Sequence, residues 1–158
     1  MEGSRARRKF LVIIDETPEC EQALLYAARR AERTGATVLA LNIIAETEFQ
    51  HWLGVENLMR EEAEEEANAL LDKAFTKLTQ TGVDEPERKI ITGNRTEGIR
   101  KAIAQDPAIA VLVLAAAPGA DGPGPLISSI ATGQSGAYPI PITIVPGGLS
   151  REEIEAIA

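Results

Sequence analysis

Two short polar segments carry most of the side chains that could do chemistry. Asp15-Glu16-Thr17 directly follows the apolar run 10–14, and Ser128-Ser129 follows a Pro/Gly-rich segment at 118–125. A carboxylate at the end of a buried strand lies where open α/β sheets bind their ligands. Two serines at the start of a helix could bind a phosphate group through amides and hydroxyls, but serine is equally common there as a purely structural cap.

Several catalytic arrangements are not expected. Side chains of adjacent Asp15 and Glu16 would point apart, so they do not form the carboxylate pair of a glycosidase. Cys20 and His51 are the only residues of their types, which argues against a Cys/His metal cluster or a Cys-His nucleophile pair. His51 beside Trp52 could line a crevice, although a lone histidine in a connector is more typical of a surface or packing position. Cys20 is expected to be inert.

The glycines Gly119, Gly122 and Gly124 look like a phosphate loop. The Gly-Lys-Ser/Thr ending of a P-loop is missing, however, and no lysine follows Lys101. A P-loop hydrolase is therefore not expected. The other interpretation of the segment is a lid or a plain turn shaped by its prolines.

Five segments predict the strands that must position these groups, and the apolar runs at 10–14 and 110–117 lack the alternation of a half-exposed strand. The five segments cover residues 10–14, 37–44, 88–92, 110–117 and 141–145. Helical patterns separate them, and the first helix is expected to have Thr17 as its cap and Pro18 in its first position, with Gly35 after its end. A later helix is expected to start at 127–129.

This order predicts a doubly wound α/β fold, with a five-stranded parallel sheet and helices on both faces. We expect one domain over residues 1–158, with a flexible basic terminus at 1–8, a loop at 116–127 and a tail at 149–158. The loop after the first strand and the loop after the fourth are expected to meet and form the binding crevice.

Charge and composition limit the kinds of binding partner that are expected. The net charge is −8 and the pI is near 4.8, so nucleic acid is not an expected partner. The basic cluster Arg5, Arg7, Arg8 and Lys9 is expected to be a solvated terminus. No apolar stretch is long enough to span a bilayer and no signal-peptide pattern begins the sequence, which predicts a cytoplasmic protein without a membrane partner.

The sequence resembles the universal stress protein family from about residue 8 to residue 146. The motifs that carry the resemblance are 10–17 with the Ala-rich helix after it, Gly35-Ala36 before 41–43, Gly93 six residues before Ile99, and the spacing from Ser129 to Pro141. The resemblance implies a five-stranded α/β fold of the adenine nucleotide α-hydrolase-like type.

Members of this family that bind ATP resemble one another in a Gly-x2-Gly-x9-Gly-Ser/Thr pattern after the fourth strand. With Ser129 aligned to the family's serine, Ala115, Pro118 and Ser128 stand where the three glycines would be. Side chains at 115 and 128 would crowd a phosphate, and Pro118 lacks an amide donor. The alternative alignment on Gly119, Gly122 and Gly133 has the wrong spacing.

The resemblance still implies an adenosine-binding side formed by Ile14, Asp15, Thr17 and Ile43, with Ser129 for a phosphate. Two outcomes stay open: ATP bound through a different Gly-rich path, or a crevice that is nucleotide-free or holds another ligand. The expected function is a non-catalytic binding or signalling module, dimeric through the edge strand from Ile142 to Val145.

Two other classes of protein share this topology and are alternatives to the family assignment. A nucleotide α-hydrolase or adenylating enzyme would need a Ser-Gly-Gly-x-Asp-Ser type loop where this chain has Asp15-Glu-Thr-Pro18. A flavodoxin-like carrier would need aromatic groups around its flavin, and the aromatic residues near a connector are Phe49 and Trp52.

Overall fold

The computed structural model describes residues 6–45, 55–119, 122, 124–129 and 138–158, over which strands and helices alternate. The elements are β1 (Lys9–Ile13), α1 (Cys20–Thr34), β2 (Thr37–Ile44), α2 (Val55–Thr81), β3 (Glu87–Thr92), α3 (Arg95–Gln105), β4 (Ile109–Ala116), α4 (Pro125–Ser129), β5 (Ile142–Pro146) and α5 (Arg151–Ile157). Within these ranges no helix combines the length and the apolar character needed to cross a membrane.

The five strands form one sheet in the order β3-β2-β1-β4-β5, and every neighbouring pair is parallel. This confirms the predicted fold class. β1 pairs with β2 through contacts such as Ile13 with Leu41, and with β4 through contacts such as Val12 with Val113. The chain therefore reverses its direction of winding at β1, and the loops after β1 and β4 lie side by side.

β1 has no exposed face because its alternate side chains enter two different cores. Val12 and Ile14 pack with α1 and α2 in one core, while Leu11 and Ile13 pack with α3 and α4 in the other. Helices thus cover both faces of the sheet, which explains the absence of polar alternation in the strand. α5 adds to the first side through Ile154, which is 1% exposed.

The start of α1 differs from the prediction. Glu19, not Thr17, occupies the N-cap position, and it makes no side-chain capping bond. Thr17 instead donates its hydroxyl and its backbone amide to a carboxylate oxygen of Asp15. The prediction of Thr17 as cap and Pro18 as the first helical residue was wrong, because the neighbouring carboxylate competes for the threonine.

The start of α4 also differs. The helix begins at Pro125, two residues before the predicted start, in the position where the missing amide of proline costs no hydrogen bond. The amide of Ser128 donates to the carbonyl of Gly124 at 3.0 Å, so it is used inside the helix.

The basic residues near the N-terminus are held by ion pairs. Lys9 lies in β1 with its amine 2.6 Å from carboxylates of both Glu87 and Asp106, and Arg7 lies 2.9 Å from Asp84. Burial alone would lower the pKa of Lys9, but the hydrogen bonds to Asp106 and Glu87 outweigh it and raise that pKa. Lys9 is therefore part of the sheet and paired with two acids, whereas Arg7 and Arg8 are exposed, as expected of a solvated terminus.

Three segments meet at Gly147, directly after β5. Its amide donates to the carbonyl of Ala116 at the end of β4, at 2.9 Å. A Cβ atom at this position would lie 2.4 Å from that carbonyl oxygen and 2.7 Å from Cβ of Glu19. The close approach of β4, α1 and β5 therefore requires a residue without a side chain.

We expect Gly147→Ala to lower the free energy of unfolding by about 1–3 kcal/mol, because the backbone must shift to admit the methyl group. Urea denaturation followed by circular dichroism measures this change. Gly148→Ala is the matched control, since its Cβ would come no nearer than 3.8 Å to Pro118. A control that is destabilised as much as Gly147→Ala would contradict the steric explanation.

Candidate functional site

The end of β1 is held by hydrogen bonds to β2. The amide of Ile14 donates to the carbonyl of Leu41 at 2.7 Å, and the side-chain amide of Asn42 donates to the carbonyl of Ile14 at 2.8 Å. Asn42 is 8% exposed and is one of the few buried polar residues among those described. These bonds fix the point at which the chain leaves the sheet and presents Asp15.

Asp15 forms a tight turn with Thr17. Its Oδ1 accepts the Thr17 amide at 3.0 Å and the Thr17 hydroxyl, which makes an Asx turn. Its Oδ2 lies 3.8 Å from Nη1 of Arg95, and the side chain is 23% exposed. One carboxylate oxygen is thus used to shape the loop, while the other faces Arg95.

A cavity of about 540 Å³ opens at the carboxyl ends of β1 and β2. This volume lies in the range of small-molecule sites. The β1 loop and β2 supply one side of the lining, and α2 and the start of α3 supply the other. The residues of most chemical interest are Asp15, Glu16, Thr17, Ile43, Glu62, Ala63, Glu66 and Arg95.

A second cavity, of about 70 Å³, lies between the same loop and the end of β4. Its walls include Ala115, Gly124 and Ile127, and it shares Asp15, Thr17 and Arg95 with the larger cavity. It is far below the usual size of a ligand pocket. The expectation that a side chain at 115 would crowd a phosphate stays a prediction, and the small volume supports it.

Some of the candidate residues come together. Asp15, Thr17 and Ile43 line the larger cavity, and Ala115 lines the smaller one. Ile14 is 3% exposed and its side chain belongs to the core, although it touches a depression of about 360 Å³ on the other side of the β1 loop. The loops after β1 and β4 therefore meet as predicted.

Other candidates do not line either cavity in the part of the chain that is described. Gly119 is exposed, as is Gly122, and Ser128 is exposed with its amide bonded to Gly124. The side chain of Ser129, at the end of α4, is outside the description. His51 and Trp52 also lie outside the described residues.

The sequence analysis missed Arg95, Glu62 and Glu66. Arg95 follows the turn after β3, and β3 lies beside β2 in the sheet, so the side chain reaches the same edge as Asp15. A helical pattern does place Glu62 and Glu66 four residues apart on one face of α2. That signal is available in the sequence, but it does not say which face turns towards the crevice.

Cys20 starts α1 beneath the β1 loop. It is buried, and its thiol donates to the carbonyl of Ile13 at 3.6 Å. Burial raises the pKa of the Cys20 thiol to about 11. The thiolate form is therefore scarce at neutral pH, in agreement with an inert cysteine.

We expect native Cys20 to react with iodoacetamide at pH 8 about a hundredfold more slowly than the unfolded chain, because raising the pKa by two units from 9.0 removes most of the thiolate. Mass spectrometry after timed quenching measures the rate, with the same protein in urea as control. Equal rates in the two states would show that the thiol is accessible in the native protein and that its pKa is not raised.

The sequence matches the model of the universal stress protein family over residues 6–146. Comparison with curated proteins finds no significant match.

Solved structures of low sequence identity share the fold. The universal stress protein UspA from Lactobacillus plantarum has a TM-score of 0.71 at 20% identity, covering 89% of this chain and 99% of that one. A universal stress protein in complex with cAMP has a TM-score of 0.63 at 14% identity, covering 91% and 100%. A family protein from Arabidopsis thaliana with AMP bound has a TM-score of 0.60 at 16% identity, covering 88% and 91%.

Proposed function

Because the chain belongs to the universal stress protein family, we propose that it is a non-catalytic binding module that holds an adenine nucleotide in the crevice around Asp15. The observation that carries the proposal is the cavity of about 540 Å³ at the carboxyl ends of β1 and β2. Similar proteins crystallised with cAMP and AMP support the ligand class. The cytoplasm is the expected compartment, and a role in stress signalling follows the family.

The lining suits a nucleoside. Ile43 and Ala63 offer aliphatic surface on which a base can lie, and Oδ2 of Asp15 can accept hydrogen bonds from ribose hydroxyls, since Thr17 uses only Oδ1. ATP remains the alternative ligand. No observation favours a flavodoxin-like carrier or an adenylating enzyme over this binding function.

We expect adenosine to bind the purified protein and Asp15→Ala to weaken binding about tenfold or more, because a charged acceptor is lost. Ala63→Trp should abolish binding by filling the cavity. Isothermal titration calorimetry measures both effects.

Glu65→Trp is the matched control for bulk on α2, since Glu65 is exposed and does not line the described cavity. It should bind adenosine as the unaltered protein does. Undetectable adenosine binding to the unaltered protein, or unchanged binding to Ala63→Trp, would refute the proposed site.

The proposal includes a homodimer formed through β5. This strand is at one edge of the sheet, and Ile144 is 44% exposed on it, so pairing with a second copy would cover both its backbone groups and its apolar surface.

Light scattering after size exclusion should give twice the 16.9 kDa mass of one chain. Ile144→Lys should shift the protein to the monomer, because a charge would be buried in the interface. Ile157→Lys is the control, as Ile157 is 60% exposed on α5, which packs against α1. A monomeric parent protein, or a dimer that survives Ile144→Lys, would rule out this interface.

A further inference from the structure

Arg95 lies at the boundary between the two cavities. It is part of the lining of both, and its side chain is 44% exposed. Its Nη1 is 3.8 Å from Oδ2 of Asp15, which is beyond hydrogen-bond distance. Among the described residues, the guanidinium therefore keeps its N–H donors for another acceptor.

Three other described arginines, Arg29, Arg7 and Arg88, have closer partners. Arg29 lies 2.7 Å from Glu155, Arg7 lies 2.9 Å from Asp84, and Arg88 binds both Asp72 and Asn68. Arg95 is also the first residue of α3, where the helix dipole disfavours a cation. Its placement thus serves neither a strong ion pair nor the helix, and it leaves a positive group facing the crevice.

The rest of the charged lining is acidic. Asp15, Glu16, Glu62 and Glu66 surround the larger cavity, so its described lining carries four carboxylates against the single guanidinium of Arg95. One phosphate group can be offset by Arg95 through paired charge-assisted hydrogen bonds. Further phosphates in this cavity would face carboxylates and be repelled.

The end of the crevice next to β4 offers no second site for the additional phosphates. The small cavity there has only about 70 Å³. Its walls towards β4 and α4 are the aliphatic Leu114, Ala115, Leu126 and Ile127, and its polar lining includes Thr17, Glu19 and the same Arg95. A chain of three phosphates gains little space there and no side-chain donor from the four aliphatic residues.

We propose that Arg95 is the phosphate-binding residue of the crevice and that the site selects nucleotides with a single phosphate group over ATP. The inference rests on the proposed function, because it assumes that the nucleoside part occupies the larger cavity. Arg95 binds the phosphate, and the carboxylates of α2 and the β1 loop penalise each additional one.

Calorimetry with adenosine, AMP and ATP tests the selection, in low-salt buffer with EDTA so that no divalent cation neutralises the phosphates. We expect AMP to bind about tenfold more tightly than adenosine and about tenfold more tightly than ATP. Added NaCl should narrow the difference between AMP and ATP, because salt screens the repulsion. Glu62→Gln with Glu66→Gln should strengthen ATP binding more than AMP binding.

The residue is tested with Arg95→Gln. AMP affinity should fall to that of adenosine, while adenosine affinity should not change. Lys73→Gln is the matched control, since Lys73 lines the neighbouring depression on the other side of the β1 loop and its removal changes the charge equally. It should leave the preference for AMP intact.

Three results would overturn the inference and leave the nucleoside site standing: ATP binding as tightly as AMP, Arg95→Gln retaining the preference for AMP over adenosine, or Lys73→Gln removing it equally. Loss of adenosine affinity in Arg95→Gln would also overturn it, by showing a structural role. Failure of all three ligands to bind the unaltered protein would instead refute the proposed function, and this inference with it.

Discussion

The hydrogen bond from Asn42 to the carbonyl of Ile14 is the contact on which the crevice depends. Ile14 directly follows β1 and is only 3% exposed, so its carbonyl needs a partner inside the protein. β2 supplies one at 2.8 Å. At the other end of the same strand, the hydroxyl of Thr37 donates to the carbonyl of Asp84 at 2.7 Å. The buried polar side chains of β2 thus satisfy carbonyls of the chain on either side of it.

This arrangement determines what the site can contain. Because the end of β1 is fixed, one carboxylate oxygen of Asp15 accepts the hydrogen bonds of the turn to Thr17, and the other faces the crevice. α2 then adds acids and α3 adds Arg95 to walls that are otherwise aliphatic. The fold is that of the family, and around the cavity it places four carboxylates and one guanidinium of this chain.

The strands were predictable because burial on both faces demands an uninterrupted apolar run. The first was expected at 10–14 and is found at Lys9–Ile13, and the fourth at 110–117 is found at Ile109–Ala116. The start of α1 was less predictable, because the Thr17 hydroxyl donates to Asp15 instead of accepting from the amides of α1. Local competition of this kind depends on side-chain positions that residue type alone does not reveal.

The positions of Arg95, Glu62 and Glu66 in the lining of the crevice could not be predicted from the sequence pattern, for a different reason. Arg95 reaches Asp15 only because β3 lies next to β2, and periodicity does not report the order of strands in a sheet. Glu62 and Glu66 are exposed on α2, and residue type alone does not show that their face also borders the cavity.

The bare backbone at Gly147 has a consequence for how this protein can change over time. Since the ends of β4 and β5 and the start of α1 touch there without an intervening side chain, none of the three can be displaced separately. Evolution of a different segment after Pro118, for instance one that admits a bulkier ligand, would shift the backbone near Gly147. Residues near Glu19 and after β5 would then have to change as well. The contact at Gly147 therefore slows sequence divergence in these three segments, because a change in one of them strains the fold until the other two have also changed.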